Sequence, residues 1–500
     1  MFFTKLGLFL PFFFLFAWRW SRWLAYLQQK EYRVDRFWRF LQSTQGRQEL
    51  KKLLPKPIEL TRTGWKRPVI TARLLVAVVL NILLWLGISS VFFNHTLVVF
   101  CLGLLAVYVL VPIVVFVSAW PTAIASAAIT WWMLYRAQQL LRRAHPFIIG
   151  VGGSYGKTST KHLLAHVLKE KSEVFVTPKS HNTKYSVAKS ICDEYHGQPI
   201  AILEYGAYTK GEIAYLSKWF PPNLVIETGF TLQHMALFGS VENSLHAEAE
   251  LVAALTEKDV VFVNGADEGA LKIVEIGQKT SHAHVISYAG PTATIHLVNP
   301  QLDNEGHLSF QLDGQQVKTG LVGEHYLPNL QAAVAVAQRL ELSKEQIIHA
   351  LSTFIPSSSF FRSFVLPNKG VFLDDGGTSN PIGFEAALQL ANQLIYSHKY
   401  LLTAGIVDLG EAADELHQKL AAKSSKIFEQ VWYMGEDGKK QFKESFETRL
   451  LSDQSQFASW ITTLPSGTLI LLEGRIPKMI EAQLRALVSE MEGDGQASLQ

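Results

Sequence analysis

The sequence predicts an α/β protein: a P-loop, doubly wound parallel-sheet central domain and a C-terminal Rossmann-like α/β domain, preceded by an α-helical transmembrane region. Three observations predict it. Apolar residues concentrate before residue 146, in runs long enough to cross a bilayer. A glycine-rich turn carrying Gly150, Gly153, Gly156, Lys157 and Thr158 joins an apolar run at 146–149 to a helical pattern at 161–169. Beyond it, short apolar runs alternate with helical periodicity as far as residue 472.

The 500 residues are 48% hydrophobic and carry a net charge of only +3. At roughly 150 residues per domain, that length accommodates three or four units. Charge distribution says more than the total. Residues 19–73 are strongly basic, with only Glu31, Asp35, Glu49 and Glu59 opposing them. Nucleic acid could attract such a block, but the flanking apolar runs point to a cytoplasmic membrane surface, and no nucleic acid is expected. Cys101 and Cys192 form no metal-binding spacing and no disulfide framework, which fits a reducing compartment.

The membrane region is read as residues 1–145, with spans near 2–18, 74–93 and 96–120. Asn81 is the one strongly polar side chain in the second and third runs. A buried core hairpin is the plainer alternative for that pair. No small-residue cleavage site follows the first run, so it is read as uncleaved. Trp18, Trp20 and Trp23 with Arg19 and Arg22 read as its interfacial anchor. Residues 121–143 mix apolar side chains with Arg136, Arg142 and Arg143, as in an interfacial amphipathic helix. The basic block then lies inside, and the hairpin returns the chain to the cytoplasm. The expected location is the cell membrane, multi-pass, with the lipid bilayer as a partner and the α/β domains cytoplasmic.

The glycine turn has a chemistry of its own. Backbone N–H groups from Gly153, Ser154, Gly156 and Ser159 can surround phosphate oxygens at a helix N-terminus. Lys157 supplies a point charge to the phosphates, and the Thr158 hydroxyl suits Mg²⁺. A strand–helix turn that merely needs glycines would not require Gly-Lys-Thr at the helix start, so ATP is the expected ligand. Strands are predicted at 174–177, 200–203, 224–226 and 260–263. Ligands of such sheets gather at the carboxyl ends of strands, here at Glu204, Thr228 and Asn264. Residues 282–320 read as an antiparallel insertion. A second sheet is predicted at 370–374, 400–404, 430–434 and 469–472.

The loop's first glycine is displaced from the common phosphate-loop spacing, giving G-x-x-G-x-x-G-K-T at 150–158. Downstream come E-x-G-x(4)-G-E-I at 204–213 and a histidine, His234, followed by F-G-S at 238–240. Then follow H-x(3)-N-x-x-A-A at 325–333, Arg362, D-D-x(4)-N-P at 374–381 and I-V-D-L-G-E at 406–411. In order and spacing, residues 146–490 resemble the Mur ligases, most closely the D-alanyl-D-alanine-adding members. The resemblance implies an ADP-forming, ATP-dependent carboxylate–amine ligase acting on a cell-wall muropeptide, with D-alanyl-D-alanine as a candidate amine. It also implies that Lys157 and Arg362 neutralise phosphate oxygens. Thr158 and Glu204 would hold one Mg²⁺ and His234 a second, with Asn329 near the adenine and Asp374 or Asp375 near the ribose.

Two departures qualify the carry-over. The family's A-K-x-E segment, whose lysine is carbamoylated, corresponds to 247–250, which places Glu248 at the lysine position. Glu248 would restore the charge by ligating or bridging the second Mg²⁺. It could instead mark a weakened enzyme or be plain helix surface. The family's UDP-sugar-binding domain is replaced by the membrane segment, so the carrier is UDP- or lipid-linked. The domains are expected at 146–362 and 363–490, with a disordered tail at 491–500. A membrane-tethered ATP-binding regulator or scaffold of cell-wall synthesis is the competing reading, and a transport motor a weaker one.

Overall fold

The computed structural model describes residues 2–480 apart from 31, 43, 62–64, 94, 232–237, 239, 367–368, 378, 407–408, 410–412, 436, 446–447, 451–456, 458, 462 and 477–479. The chain divides into two compact units, Met1–Trp132 and Met133–Gln500.

The first unit is helical: α1 (Phe2–Gln29), α2 (Val34–Gln42), α3 (Thr44–Lys51), α4 (Ala72–Phe93) and the start of α5 (Leu97–Ala144). The Asn81 amide nitrogen in α4 donates to the Ser118 hydroxyl of α5 at 2.6 Å and to Ala77 O at 2.8 Å, while its buried Oδ1 has no partner among the described residues. The expected interfacial anchor is not at a surface. Trp18 and Trp23 are 1% exposed and Arg19 is 2% exposed. Arg22 makes a two-pronged bond to Glu49 at 2.6 and 2.7 Å, and its other arm reaches Glu59 at 3.1 Å. Helix α1 runs on past residue 18, and α2 and α3 cover its second half, which turns an amphipathic anchor into a core. The expected division at residue 120 is absent too. Helix α5 continues through Pro112 and Pro121 as one element. A proline inside a helix removes one hydrogen bond, and strongly helical flanks carry the helix across that gap.

One helix among the described residues, Leu97–Ala144, is long and apolar enough to cross a membrane, with Ala72–Ile88 a shorter apolar helix. Along α5, Val98, Leu102, Leu105, Val109, Ile113 and Val117 form an exposed stripe at helical spacing.

The second unit holds two sheets. The chain runs β1 (Phe147–Gly152), α6 (Lys157–Leu168), β2 (Val174–Val176), α7 (Lys184–Glu194), β3 (Ile200–Glu204), α8 (Glu212–Trp219), β4 (Leu224–Glu227), α9 (Val241–Ala253), β5 (Val260–Asn264), α10 (Glu268–Gln278) and β6 (His284–Ala289). These strands form one parallel sheet ordered β2-β3-β1-β4-β5-β6. Connections leave β1 toward β2 on one side, while β4 lies on the other. The order therefore reverses at β1, where ligands of open α/β sheets bind.

Of the expected antiparallel insertion, the first strand belongs instead to this sheet as β6. The remainder is a separate meander of β7 (Leu297–Leu302), β8 (His307–Leu312) and β9 (Gln315–Val322). The boundary falls there because β6 finds a parallel partner in β5, and Gly290 then turns the chain at φ 85°.

After α11 (Leu327–Arg339) and α12 (Lys344–Thr353), the second sheet follows: β10 (Arg362–Val365), β11 (Val371–Asp375), α13 (Pro381–Gln393), β12 (His398–Thr403), α14 (Ala413–Ser424), β13 (Gln430–Tyr433), α15 (Lys439–Ser445), β14 (Thr448–Leu450) and β15 (Thr468–Glu473). Its order is β10-β11-β15-β12-β13-β14, parallel except for the β10–β11 pair. Strands β10 and β14 were not anticipated, being short and without strong apolar runs. The 491–500 tail lies outside the described residues.

Candidate functional site

The phosphate loop leaves the end of β1 and closes into α6. Gly153 and Gly156 adopt φ 109° and 76°, the left-handed region that favours glycine. A Cβ on Gly153 would lie 2.5 Å from the Thr228 hydroxyl, so no larger residue fits. Thr228, predicted at a strand end, staples the loop: its hydroxyl lies 2.8 Å from Gly152 O and 2.5 Å from Tyr155 O. Ser154 N donates to Gly229 O at 2.7 Å. Tyr155 donates to Asp267 at 2.8 Å, tying the loop to the N-cap of α10. Ser159 hydrogen-bonds Tyr326, whose hydroxyl also accepts from Phe361 N at 2.9 Å.

Lys157 folds back to donate to Gly153 O. Thr158 donates to Glu204 Oε2 at 3.0 Å and lies 3.1 Å from the Ser180 hydroxyl. Asn182 donates to Glu204 Oε1 at 3.0 Å. The predicted Thr158–Glu204 pair is thus assembled, with Ser180 and Asn182 beside it. These are hard oxygen donors of the type Mg²⁺ takes together with nucleotide phosphates, so the residues fit that ion. Among the described residues, no three His, Cys, Asp or Glu side chains gather as a protein-only cage. His234 lies outside the described residues, as do Asp408 and Glu411.

Glu248 is not plain helix surface. It is 5% exposed and meets the loop at Gly153 N, 3.4 Å away. Burial raises its carboxyl to about 7, opposed by the Lys157 charge. Beside it stands Glu227, which sequence reasoning passed over. Glu227 is fully buried, and neither carboxylate oxygen has a partner among the described residues. Burial, then the Glu248 charge, hold its carboxyl well above the usual range. The available signal was the apolar run LVIE at 224–227, which ends in glutamate as IAILE does at 200–204.

Lys161 was also missed. It lies on the inner stripe of α6 with Leu164, Ala165 and Leu168, a position where a lysine is out of place. Its ammonium and the Glu204 carboxylate form an ion pair at 2.8 Å, with side chains 0% and 1% exposed.

Asn329 donates to Thr160 Oγ1 at 2.8 Å and to Gly156 O at 3.3 Å, so its amide braces the loop's exit. In the second sheet, Arg362 faces Asp374 across the β10–β11 pair and bonds it at 2.8 Å. Asp374 also accepts from Gly376 N at 3.0 Å. Arg362 Nε is buried without a partner among the described residues. Asp375 lies beside Glu473 of β15, and burial raises Asp375 to about 6. The structure therefore gathers Lys157, Thr158, Glu204, Glu248 and Asn329 around one loop. It gathers Arg362, Asp374 and Asp375 at the end of another sheet.

Residues 151–337 match the family described as Mur ligase middle domain. This part of the chain resembles a Mur ligase middle domain. The UDP-N-acetylmuramoyl-tripeptide–D-alanyl-D-alanine ligase of Mycobacterium tuberculosis is 30% identical over 289 residues, 55% of each chain. The Bacillus subtilis protein of the same name is 26% identical over 290 residues, 57% of this chain and 62% of that one. The chain thus spans less than two thirds of the length of these relatives. Among solved structures, MurF from Acinetobacter baumannii superposes with a TM-score of 0.64 at 22% identity, covering 73% of this chain and 80% of that one. MurF ligase from Thermotoga maritima, in complex with ADP, gives 0.62 at 23% identity, covering 73% and 84%. At those identities the likeness shows the Mur ligase α/β fold, in which the middle domain's parallel sheet carries the loop.

Proposed function

We propose that this chain is an ATP-dependent, ADP-forming ligase that joins a carboxylate of a peptidoglycan precursor to an amine such as D-alanyl-D-alanine. The observation that carries the reading is Thr158 bonded to a buried Glu204 at the foot of the Gly153–Gly156 loop. That is a phosphate cradle with an oxygen pair for Mg²⁺, set in a Mur ligase middle domain. The relatives' name, a ligase of a muramoyl-tripeptide and D-alanyl-D-alanine, supports the substrate class.

In this reading Thr158 and Glu204 would hold Mg²⁺, which would supply charge neutralisation to the phosphates. The γ-phosphoryl group passes to a carboxylate oxygen of the acceptor and ADP leaves. The amine nitrogen then attacks the acyl carbon. The C–O bond breaks with its electron pair going to phosphate, and the nitrogen gives up a proton. The protein's part is positioning and charge. Lys157 turns from Gly153 O to the phosphates, Arg362 offers its unpartnered Nε to the transferred group, and Asn329 keeps the loop shaped around the nucleotide. Asp374 and Asp375 are the proposed ribose side. Glu248, beneath the loop at Gly153 N, is the acid available to a second cation.

The reading includes the membrane. The exposed apolar stripe of α5 has no place in water, and contiguous apolar surface of this kind marks a membrane or protein interface. We place the first unit in the cytoplasmic membrane, with the acceptor lipid- or UDP-linked. Amine-dependent ADP release by the purified full chain, against lipid-linked and UDP-linked muropeptides with D-alanyl-D-alanine, tests the chemistry. ATP binding without turnover on any pair would favour the regulator reading. Retention of the chain in membranes after carbonate extraction tests the location.

A further inference from the structure

Protein donors already surround Glu204. Its carboxylate takes the Lys161 ammonium at 2.8 Å, the Thr158 hydroxyl at 3.0 Å and the Asn182 amide at 3.0 Å. Lys161 is itself held in place, donating to Lys179 O and lying 3.3 Å from the Thr177 hydroxyl. Thr177 in turn accepts from Glu204 N at 3.2 Å. Lys161 lies one helical turn beyond Lys157, so the loop presents one lysine toward the phosphate cradle and buries the next beneath the metal-binding pair. Removing one partner of a buried ion pair is strongly destabilising.

We propose that Lys161 is the resident cation of the metal site. It holds the Glu204 carboxylate in place and aimed at Thr158. It also occupies the charge that a lone divalent ion would otherwise satisfy. Metal binding without nucleotide is therefore weak, and the ion enters together with the phosphates that supply its remaining ligands. The inference rests on the reading of Glu204 as a metal-site residue. Lys161 touches no substrate in it and acts through Glu204 as a positioning residue.

The test is thermal unfolding of the full chain with MgCl₂ alone, ADP alone and both, read without turnover. Wild type should shift little with MgCl₂ alone and clearly with MgCl₂ plus ADP. Lys161→Met should lose on the order of 10 °C in the metal-free midpoint, as expected for a broken buried pair. MgCl₂ alone should restore most of that loss, because the ion replaces the missing ammonium. Lys161→Arg should behave as wild type. A Lys161→Met/Glu204→Gln double variant should recover metal-free stability and ignore MgCl₂, which keeps the test open if the single variant does not fold. A double variant that stays unstable, or a Lys161→Met protein that MgCl₂ alone does not stabilise beyond the wild-type shift, overturns the inference. Equal stabilisation of wild type by ADP with and without MgCl₂ overturns the metal-site reading, and this inference with it.

Discussion

Strands β3 and β4 flank β1, one on each side, and both end a buried apolar run with glutamate. Val151 of β1 pairs in register with Glu204, and Gly152 pairs with Glu227. The two carboxylates are close to equivalent in burial and position, and opposite in environment. Glu204 receives an ammonium, a hydroxyl and an amide. Glu227 receives nothing among the described residues and shares its pocket with Glu248. Burial beside a second acid raises the Glu227 carboxyl well above the usual range, whereas Glu204 is met by donors. The phosphate loop therefore sits between a flank where an ammonium pairs the acid and a flank where two acids crowd together.

The largest expected effect comes from removing the difference on the ammonium-paired side. Glu204→Gln keeps the shape and deletes the charge, so amine-dependent ADP release at saturating ATP should fall by about 100-fold or more, as for loss of a metal-site carboxylate. A loss under 3-fold would mean that the two flanks are functionally alike.

Much of this contrast was visible in the residues, though unevenly. Glu204 stood out because the motif that follows it is long and ordered. Glu227 ends a similar run but has no motif after it, so nothing separated it from an ordinary strand end. Lys161 broke the apolar stripe of α6, a signal available from periodicity alone. Its partner was not legible, because an ion pair across 43 residues depends on how β3 pairs with β1. Glu248 was found by alignment with a motif, yet its burial against Gly153 is a tertiary fact. The fold's sheets followed from apolar runs, and the misassigned strand at 284–289 shows the limit. Period-two patterns specify a strand, not the sheet that takes it.

The next effect concerns the flank of crowded acids. Glu248 is raised to about 7 from an ordinary value of 4.5, so between those values the folded chain binds a proton that the unfolded chain has released. Stability from this group is complete below 4.5 and is lost as pH rises through 7. Glu248→Gln should therefore gain on the wild type above pH 7, by on the order of 1–2 kcal/mol in denaturant titrations. Parallel pH profiles for the two proteins would sink the assignment of a raised Glu248 carboxyl.

The smallest effect lies at the tether. Tyr155→Phe removes the bond to Asp267 while keeping the ring over Gly229. The apparent KM for ATP should rise about 3-fold with kcat held, since one intramolecular hydrogen bond is worth roughly 0.5–1.5 kcal/mol. A fall in kcat alone would place Tyr155 in the chemistry and not in loop placement.

Helix α9 carries Glu248 and, two residues on, Glu250. The second acid faces away from the loop and accepts from Gly211 N at 2.6 Å and Ala214 N at 3.0 Å at the start of α8. Residues turn through about 100° each along a helix, so an inserted residue anywhere between Val241 and Glu248 swings both acids off their partners at once. The turn at Asp313 and Gly314 is the opposite case, with φ 47° and 80° and open space around Gly314. Length variation in descendants of this chain should collect at that turn and be purged from α9, whatever the inserted residue is.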